Sequence, residues 1–286
     1  MLGSRVISIV FGLLTAACFA AGTLASSRTV RMIGPASSIL GMMAVGLVFV
    51  LPVVLIGGVP EKLDGTNAIW LMVGGMGNLS GLLLAYAAFR IGKVGVVAPI
   101  LCTEGAIAAV ISGVAGESIA PVVIFFLFVI VGGVVLAAIA PDPEPVADEK
   151  PLKAALIATT GALVFGIGLY ATGQIAGELP VVWILLPARV VTIICIALPL
   201  LLMGKLRMTR QAAPLIVLIG LAEILGYSAY TIGAAESIAI TAVLASMFAP
   251  IAAVAAFLLF RERLGRMQAS AVAVIMVGVV ALTVLG

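Results

Sequence analysis

Ten long apolar runs, separated by short polar or Pro/Gly-rich segments, dominate the 286-residue sequence. Each run is close to the roughly 20 residues that an α-helix needs to cross a bilayer. The runs are continuous, as in VVIFFLFVIVGGVVLAAIA at 122–140, whereas strands of a membrane β-barrel alternate apolar and polar residues. We therefore expect an all-α, polytopic membrane protein with ten transmembrane helices, at roughly 4–26, 35–57, 67–89, 94–115, 119–140, 153–176, 180–204, 212–235, 238–260 and 267–285.

Composition excludes several classes of protein. With 64% apolar and 9% charged residues, the chain lies far from the roughly 45–50% and 25% of soluble domains. Its net charge of +3 makes no basic patch for nucleic acid. The sequence has no histidine for acid–base catalysis or metal binding and no Gly-Lys-Ser/Thr motif for ATP, and Cys18, Cys102 and Cys195 stand alone in apolar runs. We expect neither an enzyme nor a protein with a cofactor, a metal or a nucleic-acid partner.

The two halves of the chain align with each other at a shift of about 146 residues. LPVVLIGG at 51–58 and VGGVVL at 131–136 fall on LPLLLMGK at 198–205 and VGVVAL at 277–282. The single-residue matches are Phe19 and Gly22 on Phe165 and Gly168, and Asn78 and Gly81 on Glu223 and Gly226. Each unit contains five runs, an odd number, so the two units enter the membrane in opposite orientations. Such inverted repeats build transporters with a site near the midplane. We expect a first five-helix repeat at 1–140, a linker at 141–151 and a second five-helix repeat at 152–286.

Two short motifs place a Glu just after the fourth and the ninth run, GESI at 116–119 and RERL at 261–264. With ten spans and a 5+5 repeat, the whole chain resembles the EamA-type transporters of the drug/metabolite transporter superfamily. The second motif departs from the family pattern, because Arg261 stands where the family usually has Gly. The resemblance implies one bundle of ten helices around a central cavity and secondary transport of small metabolites or drugs. We expect a multi-pass protein of a cell membrane, the bacterial inner membrane.

Three ionisable residues lie near the middle of apolar runs: Glu104, Arg189 and Glu223. A charge at the bilayer centre costs about 2.5–3.5 kcal/mol on insertion scales, so each must face a cavity or a partner. Arg189 keeps its charge and needs an anion, which is Glu104, Glu223 or an anionic group of a substrate. Glu104 is either a cavity and proton-coupling residue or half of a structural ion pair. We assign charge balance and proton coupling to Glu104 and Arg189.

The candidate substrate-binding residues share faces with these charges. Tyr227 lies four residues after Glu223, and Tyr86 lies eight residues after Asn78, the repeat partner of Glu223. Aromatic rings offer apolar contact and cation–π attraction beside a carboxylate. The alternative is that Asn78 and the tyrosines only join helices by hydrogen bonds. Weaker candidates are Tyr170 and Gln174, which share a face of the sixth run.

We expect a secondary transporter that moves a small metabolite or an amphipathic organic compound by alternating access, with proton coupling left open. Its partners would be a small-molecule substrate and membrane lipids, and it would be a monomer or a homodimer. The alternative is a lipid-handling membrane protein or a passive channel without ion coupling. Orientation is also open. Twelve of the Lys and Arg residues lie in the loops opposite the termini and two on the side of the termini, which favours termini outside the cytoplasm, whereas the resemblance favours termini inside.

Overall fold

The computed structural model describes residues 2–115, 150–236, 238–248 and 265–285, together with positions 125, 129, 132, 133, 136, 251, 252, 255 and 258. These residues form helices, without a named strand among them. The helices are α1 (Leu2–Ile33), α2 (Pro35–Gly57), α3 (Gly65–Ile91), α4 (Val94–Leu101), α5 (Glu104–Val114), α6 (Pro151–Ile175), α7 (Val181–Thr192), α8 (Leu198–Leu202), α9 (Ala213–Ala234), α10 (Ile238–Ala245) and α11 (Arg266–Leu285). A π-helical turn at Ile193–Ala197 joins α7 to α8.

Within the described ranges, seven helical segments are long and apolar enough to cross a membrane. They are Val6–Ile33, Pro35–Gly57, Gly65–Ile91, Val94–Val114, Pro151–Ile175, Val181–Leu202 and Ala213–Ala234. The predicted all-helical, multi-pass membrane protein is therefore found. Most of the predicted span at 119–140 and of the linker at 141–151 lies outside the described residues, as does part of the span at 238–260. The count of ten spans stays a prediction, and so does the division into two repeats.

The first helix is longer than the sequence indicated. The apolar run was expected to end near residue 26, with a polar segment from Arg28 to Pro35, but α1 continues to Ile33. The hydroxyls of Ser26, Ser27 and Thr29 donate to carbonyls three residues back, so this polar stretch is satisfied inside a helix. The helix ends only at Gly34, whose φ of 87° is the left-handed conformation that favours glycine.

Short connections make successive spans antiparallel, and hydrogen bonds join the helix ends at each side of the bundle. At one end, Arg31 Nη2 donates to the Gly92 carbonyl (3.0 Å) and the Lys150 amide donates to the Ile91 carbonyl (2.9 Å). We call this side the basic end. At the opposite end, Lys62 Nζ and Glu178 Oε2 form an exposed ion pair of 2.6 Å. These contacts fix which ends of α1, α3 and α6 lie on the same side.

The chain leaves and re-enters the described region at different ends of the bundle. α4 and α5 run from Val94, at the basic end, to Val114 at the opposite end. Lys150, where the described chain resumes, lies at the basic end against Ile91.

Close glycine contacts relate the two halves to each other. A methyl group at Gly81 of α3 would lie 2.6 Å from the ring of Phe165 on α6. A methyl group at Gly226 of α9 would lie 2.8 Å from the ring of Phe19 on α1. The shift of about 146 residues turns the first pair into the second. Two units related by a two-fold axis would exchange contacts in this way, and the exchanged pairs lie beside the candidate site.

Candidate functional site

A cavity of about 100 Å³ lies where α1, α3, α5, α6 and α9 meet. Its walls are mainly apolar, and the polar side chains among them include Asn78, Glu104 and Glu223. The aromatic lining residues are Phe19, Tyr86, Phe89, Phe165, Tyr227 and Phe248. This volume is well below the roughly 300–1,000 Å³ of drug-sized ligand sites. The cavity therefore has room for only a small molecule in this conformation.

An ion pair joins Glu223 of α9 to Arg189 of α7 behind the cavity wall. Arg189 is completely buried, and its Nη2 donates to Glu223 Oε2 while its Nη1 donates to the Leu185 carbonyl at 2.6 Å. Asn78 Nδ2 donates to the other carboxylate oxygen of Glu223 at 3.4 Å. Of the partners that the sequence left open for Arg189, the structure pairs it with Glu223. The charge of Glu223 is thus balanced by the protein itself, and its repeat partner Asn78 touches it directly.

Gly46 of α2 provides the space for this arginine. A methyl group at Gly46 would lie 2.5 Å from Arg189 Nε, and that nitrogen has no hydrogen-bond partner in the described part of the chain. On the same helix as Arg189, Pro187 packs against Gly75 of α3. A methyl group at Gly75 would lie 2.7 Å from Pro187 Cβ. Two glycines on neighbouring helices therefore let α7 approach closely enough to present Arg189 to Glu223. The sequence did not single out Gly46, because an isolated glycine in a membrane helix is common.

Glu104 begins α5, directly after a short turn that follows α4. Pro99 lies in α4, and Cys102 and Thr103 form this turn with right-handed helical backbone angles. The residue is 6% exposed and lines the cavity. Among the described residues, its carboxylate has neither an ion-pair nor a hydrogen-bond partner. Its place in the first turn of α5 suits a negative charge, because the N-terminal end of a helix dipole is positive.

A second turn lies against the first. α10 ends at Ala245, and Ser246 and Met247 form a turn. Gly105, next to Glu104, lies against this region, because a methyl group there would be 2.6 Å from the Ala242 carbonyl.

Hydrogen bonds close the cavity towards the opposite end. The Tyr227 hydroxyl lies 3.2 Å from Thr172 Oγ1, and the Tyr230 hydroxyl donates to the Leu169 carbonyl at 3.1 Å. Both bonds join α9 to α6. We call these four residues the tyrosine layer. Towards the basic end, the Tyr86 hydroxyl donates to Met42 Sδ at 3.3 Å and Phe89 is 2% exposed. Hydrogen-bonded or aromatic side chains thus lie on both sides of the cavity.

The structure brings five of the predicted residues to one cavity and leaves others outside it. Asn78, Tyr86, Glu104, Glu223 and Tyr227 line it. Arg189 lies behind Glu223, as a partner rather than as part of the lining.

The placement of Tyr170 and Gln174 in the substrate site is not supported. Tyr170 packs edge-to-face on Trp70, with ring centroids 5.8 Å apart, and Gln174 is exposed. The face of α6 that meets the cavity is instead the face of Phe165 and Leu169.

Sequence reasoning missed the aromatic walls at Phe19, Phe165 and Phe248 as site residues. The ring of Phe19 packs at a tilt against that of Tyr227, with centroids 6.5 Å apart, and edge-to-face against that of Phe248, with centroids 6.3 Å apart. A signal for two of them was present, because Phe19 and Phe165 are a matched pair of the internal repeat. Repeat-related residues lie at equivalent distances from a two-fold axis, so a pair flanking a polar midpoint marks the walls of a shared cavity.

Seven helices among the described residues that are long and apolar enough to cross a membrane indicate a multi-pass, helical membrane protein. Residues 6–139 match the model of the EamA-like transporter family, so the resemblance read from the sequence is confirmed over that part of the chain. That family consists of transporters rather than enzymes. No curated protein matches the sequence. A solved structure described only as "Crystal structure of protein" is similar, with a TM-score of 0.69 and 16% identity over 97% of this chain and 96% of its own. At that identity the likeness concerns the fold alone.

Proposed function

We propose that the protein is a secondary transporter that moves a small metabolite or an amphipathic organic compound by alternating access. The observation that carries this proposal is the cavity itself, which is lined by residues from both predicted repeats. Repeat-related Asn78 and Glu223 both line it and are joined by a hydrogen bond. A site near the midplane, at the interface of inverted repeats, is where alternating access requires the substrate to bind. We place the protein in the bacterial inner membrane.

The tyrosine layer is the element that must open for the cavity to reach the opposite side. It consists of two hydrogen bonds between α9 and α6. Interhelical hydrogen bonds within membranes contribute only about 0.6 kcal/mol on average, so such a layer opens and closes readily. The glycine contacts at Gly81 and Gly226 are close enough for one unit to rock against the other as a rigid body.

Cys18 provides a direct test of alternating access. It lines the cavity, Cys102 is buried and Cys195 is exposed on the outside of the bundle. In a Cys102→Ala/Cys195→Ala protein, Cys18 is the remaining thiol. We expect a membrane-impermeant maleimide to label it in right-side-out and in inverted vesicles. The matched control is the protein that also carries Cys18→Ala. Labelling from one side only, or from neither side, would contradict alternating access.

Proton coupling is tested in proteoliposomes that carry a pH gradient. Organic cations, amino acids and sugars are added in turn, and collapse of the gradient is recorded. We propose Glu104 as the proton-carrying group, so Glu104→Gln should abolish collapse. Glu178→Gln is the matched control, since Glu178 is a half-exposed carboxylate at the opposite end. Substrate accumulation without proton movement in the wild type would reject coupling and leave transport standing.

One observation favours the alternative of a lipid-handling protein. An open groove between α3 and α6 is lined mainly by apolar residues, among them Met72, Met76 and Ile167. It faces away from the central cavity and contains the hydroxyl of Ser80 as its main polar group. If acyl chains bound there were the substrate, Met76→Trp would impair function, whereas changes at Asn78 would not.

A further inference from the structure

The charges around the cavity do not cancel. Two carboxylates, those of Glu104 and Glu223, line it. Glu223 is balanced by Arg189, which is completely buried and hydrogen-bonded to it. Glu104 has no ionic partner among the described residues and is 6% exposed. The described lining thus carries one uncompensated carboxylate.

The positions of the basic residues in the sequence indicate the same uncompensated negative charge. Of its 15 Lys and Arg residues, Arg189 is the one that lies within an apolar run, and the others lie at or beyond the ends of runs. Lys93 is also buried, but it stands at the start of α4, at the basic end of the bundle. Arg189 also cannot serve an anionic substrate in this conformation, because it is completely buried and does not line the cavity.

The walls around Glu104 suit a cation with an apolar body. Aromatic faces attract cations, by about 0.5–1 kcal/mol at exposed sites and more where water is excluded. Six aromatic residues line the cavity, and Phe19, Tyr227 and Phe248 form one contiguous cluster. The cavity volume of about 100 Å³ is below the roughly 150 Å³ of a protein cavity that holds benzene, so the body must be small.

We infer that the cavity takes a small organic monocation, such as a protonated amine with a short aliphatic body, whose charged nitrogen pairs with Glu104. This inference rests on the proposed function, because it assigns the substrate class of that same cavity. Neutral molecules of the same shape would lose the ionic contact, and anions would be repelled. Glu223, already paired, would contribute hydrogen bonding and shape rather than charge.

Matched ligands test the inference on the full-length protein in nanodiscs. Equilibrium binding of radiolabelled propylammonium and butylammonium is measured, with 1-propanol, 1-butanol, propionate and butyrate as competitors. We expect at least one of the two ammonium ions to bind, at least tenfold more tightly than its alcohol, and its carboxylate not to compete. The bound ammonium ion should also slow maleimide labelling of Cys18, which places it in the cavity.

Variants then assign the charge to one residue. Glu104→Gln should weaken ammonium binding at least tenfold and remove the protection of Cys18, while the alcohol still competes as in the wild type. Glu104→Asp, which keeps the charge, should retain the preference for the cation. Glu178→Gln should bind like the wild type. The wild-type comparison of cation with alcohol stands even if Glu104→Gln fails to fold.

The outcomes separate this inference from the proposed function. Failure of both ammonium ions to bind, binding no tighter than that of the alcohols, or unchanged binding in folded Glu104→Gln would overturn the inference. If Cys18 is nevertheless labelled from both sides of the membrane, the transporter proposal stands and only the inference about the ligand is lost. If Cys18 is labelled from one side only while the cation binds through Glu104, the transporter proposal fails and the assigned ligand class remains.

Discussion

Replacing Arg189 by Met should strongly destabilise the protein, because it leaves Glu223 buried without its cation. Removing one partner of a buried ion pair costs about 3–5 kcal/mol. Here the lower end is expected, about 3 kcal/mol, because the Glu223 side chain keeps 9% of its surface open to the cavity and still accepts from Asn78. At about 1.4 kcal/mol per tenfold change, that cost lowers the ratio of folded to unfolded protein by about two orders of magnitude.

Double variants identify which carboxylate is the partner. Arg189→Met/Glu223→Gln removes both charges, keeps an acceptor for Asn78 and should recover most of the lost stability. Arg189→Met/Glu104→Gln neutralises a carboxylate that Arg189 does not contact and should recover nothing. The assay is the fraction of monodisperse protein after a heating step in detergent, followed by size-exclusion chromatography. Equal recovery in the two double variants, or wild-type stability of Arg189→Met, would refute the assigned pair.

Gly46→Ala tests the same pair without touching a charge. The added methyl would lie 2.5 Å from Arg189 Nε, against a side chain held at both terminal nitrogens. Overpacking of this kind typically costs about 1–3 kcal/mol. In the Arg189→Met background the cost should largely disappear, since Met lacks the guanidinium group. An unchanged cost in that background would mean that the methyl meets something other than Arg189.

Three further predictions concern the packing between the halves and the faces of α6 and α9. Gly81→Ala and Gly226→Ala should each lower the stability measured by thermal unfolding by about 1–3 kcal/mol, and by similar amounts, because the added methyl groups meet Phe165 and Phe19 in exchanged contacts. A loss of stability at one position only would contradict the exchange. Tyr230→Phe should raise maleimide labelling of Cys18 from the opposite end about threefold, for a lost bond of about 0.6 kcal/mol. Gln174→Ala should leave substrate binding unchanged in an equilibrium binding assay, since Gln174 lies outside the cavity.

The positions of the helices and the inward direction of the charges could be predicted from the sequence. An apolar run of roughly 20 residues has few alternatives to a membrane helix, because each unsatisfied backbone group in lipid costs several kcal/mol. The cost of a charge facing lipid likewise predicts that Glu104 and Glu223 point towards the interior, and both line the cavity. What it could not decide is which of them pairs with Arg189, since that depends on the approach of α7 to α9.

The failures have a common physical cause. A helix that is apolar all round gives little indication of which face turns inward, so Tyr170 and Gln174 were assigned to the cavity from their shared face alone. The structure turns the neighbouring face inward, and Leu169, one residue away from Tyr170, lines the cavity instead. The extension of α1 through Ser26 and Thr29 was missed for a related reason. A stretch rich in Ser and Thr resembles a loop in sequence, although its hydroxyls can donate to carbonyls of the same helix.

The chemistry of the cavity resides in the residues that break the internal repeat. Gly81 and Phe165 correspond to Gly226 and Phe19, so the scaffold around the site follows the repeat closely. The charged residues do not. Asn78 stands opposite Glu223, and the shift of 147 that aligns 51–58 with 198–205 places Arg189 on Met42.

Glu104 likewise corresponds to the region of Ala249, which has no ionisable group. Two identical units would carry either two of each charge or none, and a pair of unbalanced carboxylates would repel each other in a cavity of about 100 Å³. Among the described residues, the cavity thus has one carboxylate paired with Arg189 and one, Glu104, without an ionic partner. Substrate selection should therefore respond to changes at Glu104, whereas changes at the exchanged glycines should affect stability and the rate of opening.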